Sequence, residues 1–136
     1  MANKIYNFQK EERLCSKKLL DELFKNGSSF LFYPFRLTWL TSPDEHQIFP
    51  AQVVVAVPKK RFKHSVDRNL IKRRIKEAYR LNKESLFYRP LNSSHKKILF
   101  SISYVGKEIH DFAFLEKKMK LMFGDCLKQI SNVSPA

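Results

Sequence analysis

The chain has 136 residues, with 26 Lys+Arg against 13 Asp+Glu, a formal net charge of +13 and a pI near 9.9. Its 43% hydrophobic content suffices for one domain core and argues against a disordered chain, while the charge calls for a polyanionic partner. No apolar run approaches the roughly 18 residues of a membrane span, the first residues lack a signal-peptide core, and Cys15 and Cys126 lack paired spacing, so the expectation is a cytoplasmic protein with reduced thiols and no membrane contact.

Residues 1–12 are polar and charged and are expected to form a flexible N-terminal arm. Over residues 14–24, Leu19, Leu20, Leu23 and Phe24 recur at helical spacing, with Ser16 as candidate N-cap. Asn26-Gly27 supplies a stop, since both residues tolerate a left-handed turn. Residues 35–40 alternate as a strand with Phe35, Leu37 and Trp39 on one face and Arg36 and Thr38 on the other. A short strand near Ile48 and Phe49 is a weaker expectation. Residues 51–57 form a β-branched run typical of a strand buried on both faces, closed by Pro58.

A basic segment follows over residues 59–80, then a polar stretch ending near His95. Residues 98–104 alternate as another strand, with Ile98, Phe100, Ile102 and Tyr104 on one face. Over residues 111–130, Leu115, Met119, Met122, Cys126 and Ile130 keep helical spacing, although Gly124 costs such a helix about 1 kcal/mol relative to alanine. The order of elements predicts an α+β fold, a two-layer sandwich of helices on a small mixed sheet. One domain spans residues 13–130 and a C-terminal tail spans 131–136.

Residues 59–80 hold ten Lys or Arg against Asp67 and Glu77, a net of +8 out of the chain's +13. Projected on a helix, Ile71, Ile75, Ala78 and Tyr79 make one apolar stripe, and Asn69, Lys72, Arg73, Lys76 and Arg80 make an acid-free stripe beside it. Like charges three and four apart cost a helix a few tenths of a kcal/mol each. Bound phosphates would offset that cost; a merely solubilising helix is the alternative. Lys59-Lys60-Arg61, at the end of a buried strand, reads either as a phosphate site or as a charged guard on that strand.

The string Val57-Pro58-Lys59-Lys60, followed by Arg68-Asn69-Leu70-Ile71-Lys72-Arg73-Arg74-Ile75-Lys76-Glu77-Ala78-Tyr79-Arg80, resembles the signature of the bacterial ribonuclease P protein component family. Arg13-Leu14 and the run from Leu23 to Ser29 resemble its first helix and exit turn, so the likeness covers roughly residues 13–127. The resemblance implies a left-handed βαβ crossover around the basic helix, where handedness rules alone predict a right-handed one. It also implies a ribonucleoprotein endonuclease that removes the 5′ leader of precursor tRNA. The partners would be the ribonuclease P RNA and precursor tRNA, with no protein partner required.

By the same resemblance Arg68, Asn69, Lys72, Arg73, Lys76 and Arg80, with Lys59, Lys60 and Arg61, would bind RNA. Phe24, Lys60, Arg36 and Thr38 would line a leader cleft between the basic helix and the sheet. Phe24 would either stack on a base there or fill the core. Leu70 departs from the family's usual arginine, and the loop over residues 61–65 lacks its usual glycine.

A protein-borne nuclease would need a general acid and base or clustered carboxylates. The four histidines fall in four separate segments and no acidic pair flanks the basic stripe, so no catalytic residue and no metal ligand is expected in the chain. The resemblance assigns the chemistry to the RNA and its Mg²⁺, with this chain as an accessory subunit. The alternative function is a ribosomal or general single-stranded RNA-binding protein without a processing role.

Overall fold

Alternating apolar residues on three strands give the sheet one continuous hydrophobic face, and two long helices close over it. The computed structural model describes residues 9–44 and 46–131. Helix α1 (Lys17–Asn26) leads into strands β1 (Ser28–Phe32), β2 (Phe35–Thr41) and β3 (Ala51–Ala56). Helix α2 (Ser65–Lys83) runs through a π-helical turn (Glu84–Tyr88) into the short α3 (Arg89–Ser93), and β4 (Ile98–Tyr104) and α4 (Phe112–Ser131) complete the chain.

The sheet order is β1-β2-β4-β3, antiparallel except for the parallel β3–β4 pair that brackets α2. This is the two-layer α+β architecture with a mixed sheet that the element order predicts. In register, Trp39 pairs with Phe100 and Phe100 with Val53, while Leu37 pairs with Ile102 and Ile102 with Val55. These residues form the floor of the main core, roofed by Ile71, Ile75, Ala78 and Tyr79 of α2 and by Leu115, Met119, Met122, Phe123, Cys126 and Ile130 of α4. Each large side chain so buried contributes about 1.5–3 kcal/mol.

Four sequence expectations need correction. The strand near Ile48 and Phe49 does not form; there Gln47 is buried, its amide donating to the carbonyls of Phe49 (2.8 Å) and Ile98 (3.1 Å). The central strand buried on both faces is β4, whereas the β-branched run 51–57 supplies β3 at the sheet edge. Gly27 ends α1 in extended backbone (φ −76°) rather than a left-handed turn. A Cβ there would press on the Leu23 carbonyl oxygen and come within 2.9 Å of Thr38 Cγ2, so closeness to the sheet, not handedness, requires glycine. The polar stretch before His95 buries Phe87, Tyr88 and Leu91, because the wide π turn rotates two consecutive aromatics inward. Phe87 stacks on Phe123 there, with ring centroids 4.7 Å apart.

Ser16 caps α1, its Oγ accepting from Leu19 N at 3.3 Å. Strand β1 is an addition that the sequence reading lacks. Gly124 lies on the exposed side of α4 and leaves it unbroken. Of the expected flexible arm, residues 1–8 lie outside the described residues, and Lys10–Glu12 forms a 3₁₀ turn docked on the domain. Residues 132–136 of the expected tail also lie outside, and Ser131 is the last residue of α4.

Candidate nucleic-acid interface

Helix α2 places its cations by burying its apolar stripe. With Ile71, Ile75, Ala78 and Tyr79 sealed in the core, the residues 90° or so around the helix must face outward. Arg73 and Lys76 are exposed, and among the described residues neither has an ion-pair partner. They meet Arg80, Glu77 and, from the N-terminal segment, Arg13 around one shallow depression. Arg80 and Glu77 form a forked ion pair, with nitrogen–oxygen distances of 2.5 Å and 3.1 Å. Each raises the charge preference of the other: the hydrogen bond from Arg80 lowers the Glu77 carboxyl below its ordinary value, and Glu77 raises Arg80.

The remaining predicted cations spread along the same helix and its approach. Asn69 is exposed and Lys72 half-buried. One guanidinium nitrogen of Arg68 donates to the carbonyls of Phe62 and Lys63, both at 2.8 Å, and so fastens the loop that leads into α2. Phe62 pins that loop from below against the Tyr104 ring. Lys59, Lys60 and Arg61 stand exposed on the turn after β3, closed by Arg61 N donating to Pro58 O at 3.2 Å. Arg74 donates to His110 O at 2.6 Å and ties α2 to the start of α4.

Among the described residues the main core fills the space between the basic helix and the sheet, where the resemblance implies a leader cleft. The open ground lies on the opposite sheet face, which α1 covers in part with Leu19, Leu20 and Leu23 packed on Leu14, Leu99, Leu40 and Val54. Beyond α1 the cross-strand row Leu31, Arg36, Ser103 and Ala56 is exposed or half-buried. Phe24, 61% exposed at the end of α1, belongs to this surface and not to the core. Thr38 is only 7% exposed, bonded to Ser29 Oγ at 3.0 Å, and acts as floor beneath Gly27. The leader-cleft set thus divides into exposed Phe24 and Arg36 on this face, a buried Thr38, and Lys60 beyond the edge strand.

A buried polar network underlies α2, joined by residues far apart in the chain. Glu12 is fully buried; its Oε1 accepts from Lys83 Nζ and from Tyr88 Oη (2.7 Å), and its Oε2 from Gln9 N (2.7 Å). Tyr79 and Tyr88 hydroxyls lie 3.0 Å apart in the same network. Burial lowers the Lys83 ammonium below its ordinary value, and Glu12 works against that shift. Burial likewise pushes Tyr79 and Tyr88 well up, so both phenols stay protonated. A helical lysine 71 residues from its acid carries no local spacing signal. Among the described residues no three His, Cys, Asp or Glu gather as a metal site, and no helix is long and apolar enough to cross a membrane.

Fold and surface together define a small two-layer α+β protein that exposes a cationic helix on one side of its sheet and, on the other, a sheet face that α1 covers only in part. A family model for Ribonuclease P matches residues 8–125. The chain belongs to this family, that of the ribonuclease P protein components. It is 33% identical over 115 residues to the Ribonuclease P protein component of Porphyromonas gingivalis, covering 85% of this chain and 82% of that one. The component from Chlorobium phaeobacteroides is 32% identical, covering 93% of both chains. The fold matches the RNase P protein of Thermotoga maritima with a TM-score of 0.65 at 20% identity, over 84% of this chain and 96% of that one. A Staphylococcus aureus RNase P protein mutant gives 0.68 at 16% identity, over 86% and 89% of the two chains.

Proposed function

We propose that this chain is the protein subunit of a ribonuclease P ribonucleoprotein, binding the catalytic RNA through α2 and the 5′ leader of precursor tRNA along the groove beside α1. The observation that carries the reading is the convergence of Arg73, Lys76 and Arg80 with Arg13 around one depression, on a helix whose other side is locked in the core. Arg73 and Lys76 are held at fixed spacing on a rigid element, so phosphates meet them without a large ordering cost. Asn69, Lys72 and the Lys59-Lys60-Arg61 turn extend the contact along the RNA backbone, and each neutralised phosphate releases a counterion.

On the opposite face Phe24 projects where an unpaired base can stack on it, worth about 1–3 kcal/mol. Arg36 stands in the adjacent row to hold the leader's phosphates, and Lys60 extends the positive charge past β3. The hydrolytic step is assigned to the RNA and its Mg²⁺, with the protein raising affinity for the precursor and orienting it.

Leader length tests this reading. Binding of precursor tRNA to the complex with a bacterial ribonuclease P RNA should tighten as the leader grows from none to several nucleotides, and 5′ maturation at near-physiological Mg²⁺ should be stimulated. Binding independent of the leader, together with no stimulation beside an active control subunit, would reject it in favour of a general RNA binder.

A further inference from the structure

The depression on α2 contains one cation that α2 does not carry. Arg13 reaches it from the N-terminal segment, and that segment is held at three successive residues. Glu12 is buried in the network with Lys83 and Tyr88. Arg13 pairs through its backbone with Val53 at the outer edge of β3, where Leu14 N donates to Val53 O at 2.9 Å. Leu14 is buried against Leu23 and Leu99 on the far face of the sheet. The chain therefore passes around the sheet edge, and the exposed side chain between two buried ones has one side available to it, that of Arg73, Lys76 and Arg80.

A buried carboxylate is an expensive anchor unless every lone pair is met, and Glu12 has Lys83, Tyr88 and Gln9 N to meet them. The choice of an ion pair over an apolar contact fixes register, since Glu12 must reach Lys83 and Tyr88 to be met. We infer that the Glu12–Lys83 pair is a positioning latch that sets Arg13 as the fourth cation of the α2 phosphate site, so that Glu12 and Lys83 act on RNA binding through Arg13 without touching RNA. This rests on the reading of α2 as an RNA-binding helix.

The test measures the salt dependence of binding to a bacterial ribonuclease P RNA by the full chain and its variants. Arg13→Ala should lower the slope by about one, and Arg13→Lys should restore it. Glu12→Gln should give the same loss, and the Arg13→Ala/Glu12→Gln double variant should lose no more than either alone. Amide exchange at Leu14 should quicken in Glu12→Gln and stay unchanged in Arg13→Ala. If Glu12→Gln does not fold, Tyr88→Phe removes one hydrogen bond to Glu12 while keeping the ring, and should show a lower slope with faster Leu14 exchange. Additive losses, or an unchanged slope in Arg13→Ala while Arg73→Ala lowers it, overturn the latch. An unchanged slope in Arg73→Ala overturns the underlying reading of α2 instead.

Discussion

Cys126 and Cys15 show how far burial separates two residues of one type. Cys126 sits under α4 in the main core, where desolvation pushes its thiol well above the ordinary value, while Cys15 is exposed ahead of α1. A thiol reagent should therefore modify one cysteine in the native protein and the second only on unfolding, as read by mass spectrometry; two native adducts would contradict the packing of α4. The two glycines at helices oppose each other in the same way. Gly27→Ala forces a Cβ between α1 and the sheet and should cost about 1–3 kcal/mol in chemical denaturation. Gly124→Ala meets nothing within 4 Å on an exposed helix face and should gain about 0.5–1 kcal/mol. The stop function of Gly27 was legible in the sequence, but its reason was not, because the residues it approaches, Thr38 and Trp39, lie on another element.

At the scale of elements, α2 and α4 were readable because their buried residues keep a 3.6-residue period, and each predicted stripe residue of α2 is buried. The π turn erased that period over residues 84–91, so Phe87 and Tyr88 passed for loop. Strand β1 was hidden by Phe30-Leu31-Phe32, an apolar run without alternation, and its place depends on pairing with β2. The cationic stripe was legible as a pattern; its completion by Arg13 was not, since that requires the pairing of residue 13 with β3. Among the described residues Glu77 is the one acid lining the depression, and Glu77→Gln should tighten RNA binding measured at fixed low salt. The same pair gives a weak pH dependence. Because Arg80 lowers the Glu77 carboxyl in the folded state, its contribution is present above the ordinary value of 4.5 and fades as pH falls through the lowered one. Both side chains are partly exposed, so the effect on stability should stay within about 1 kcal/mol.

For the whole molecule, the two surfaces proposed to bind RNA lie on opposite faces of one sheet. The main core holds α2 rigid on one face, and the partial cover by α1 leaves the row Leu31, Arg36, Ser103 and Ala56 open on the other. A single four-stranded sheet thereby sets the distance between the surface proposed for the catalytic RNA and the groove proposed for the leader. The family resemblance implied a cleft between the basic helix and the sheet, but the apolar stripe on α2 already required that space to be filled.

The most direct measurement is the slope of log association constant against log salt for binding to a bacterial ribonuclease P RNA, compared between the wild-type chain and Arg73→Ala/Lys76→Ala. The account predicts a slope smaller by about 1.5–2 in the variant, with the fold unchanged by circular dichroism. A slope equal to that of the wild-type chain would contradict it.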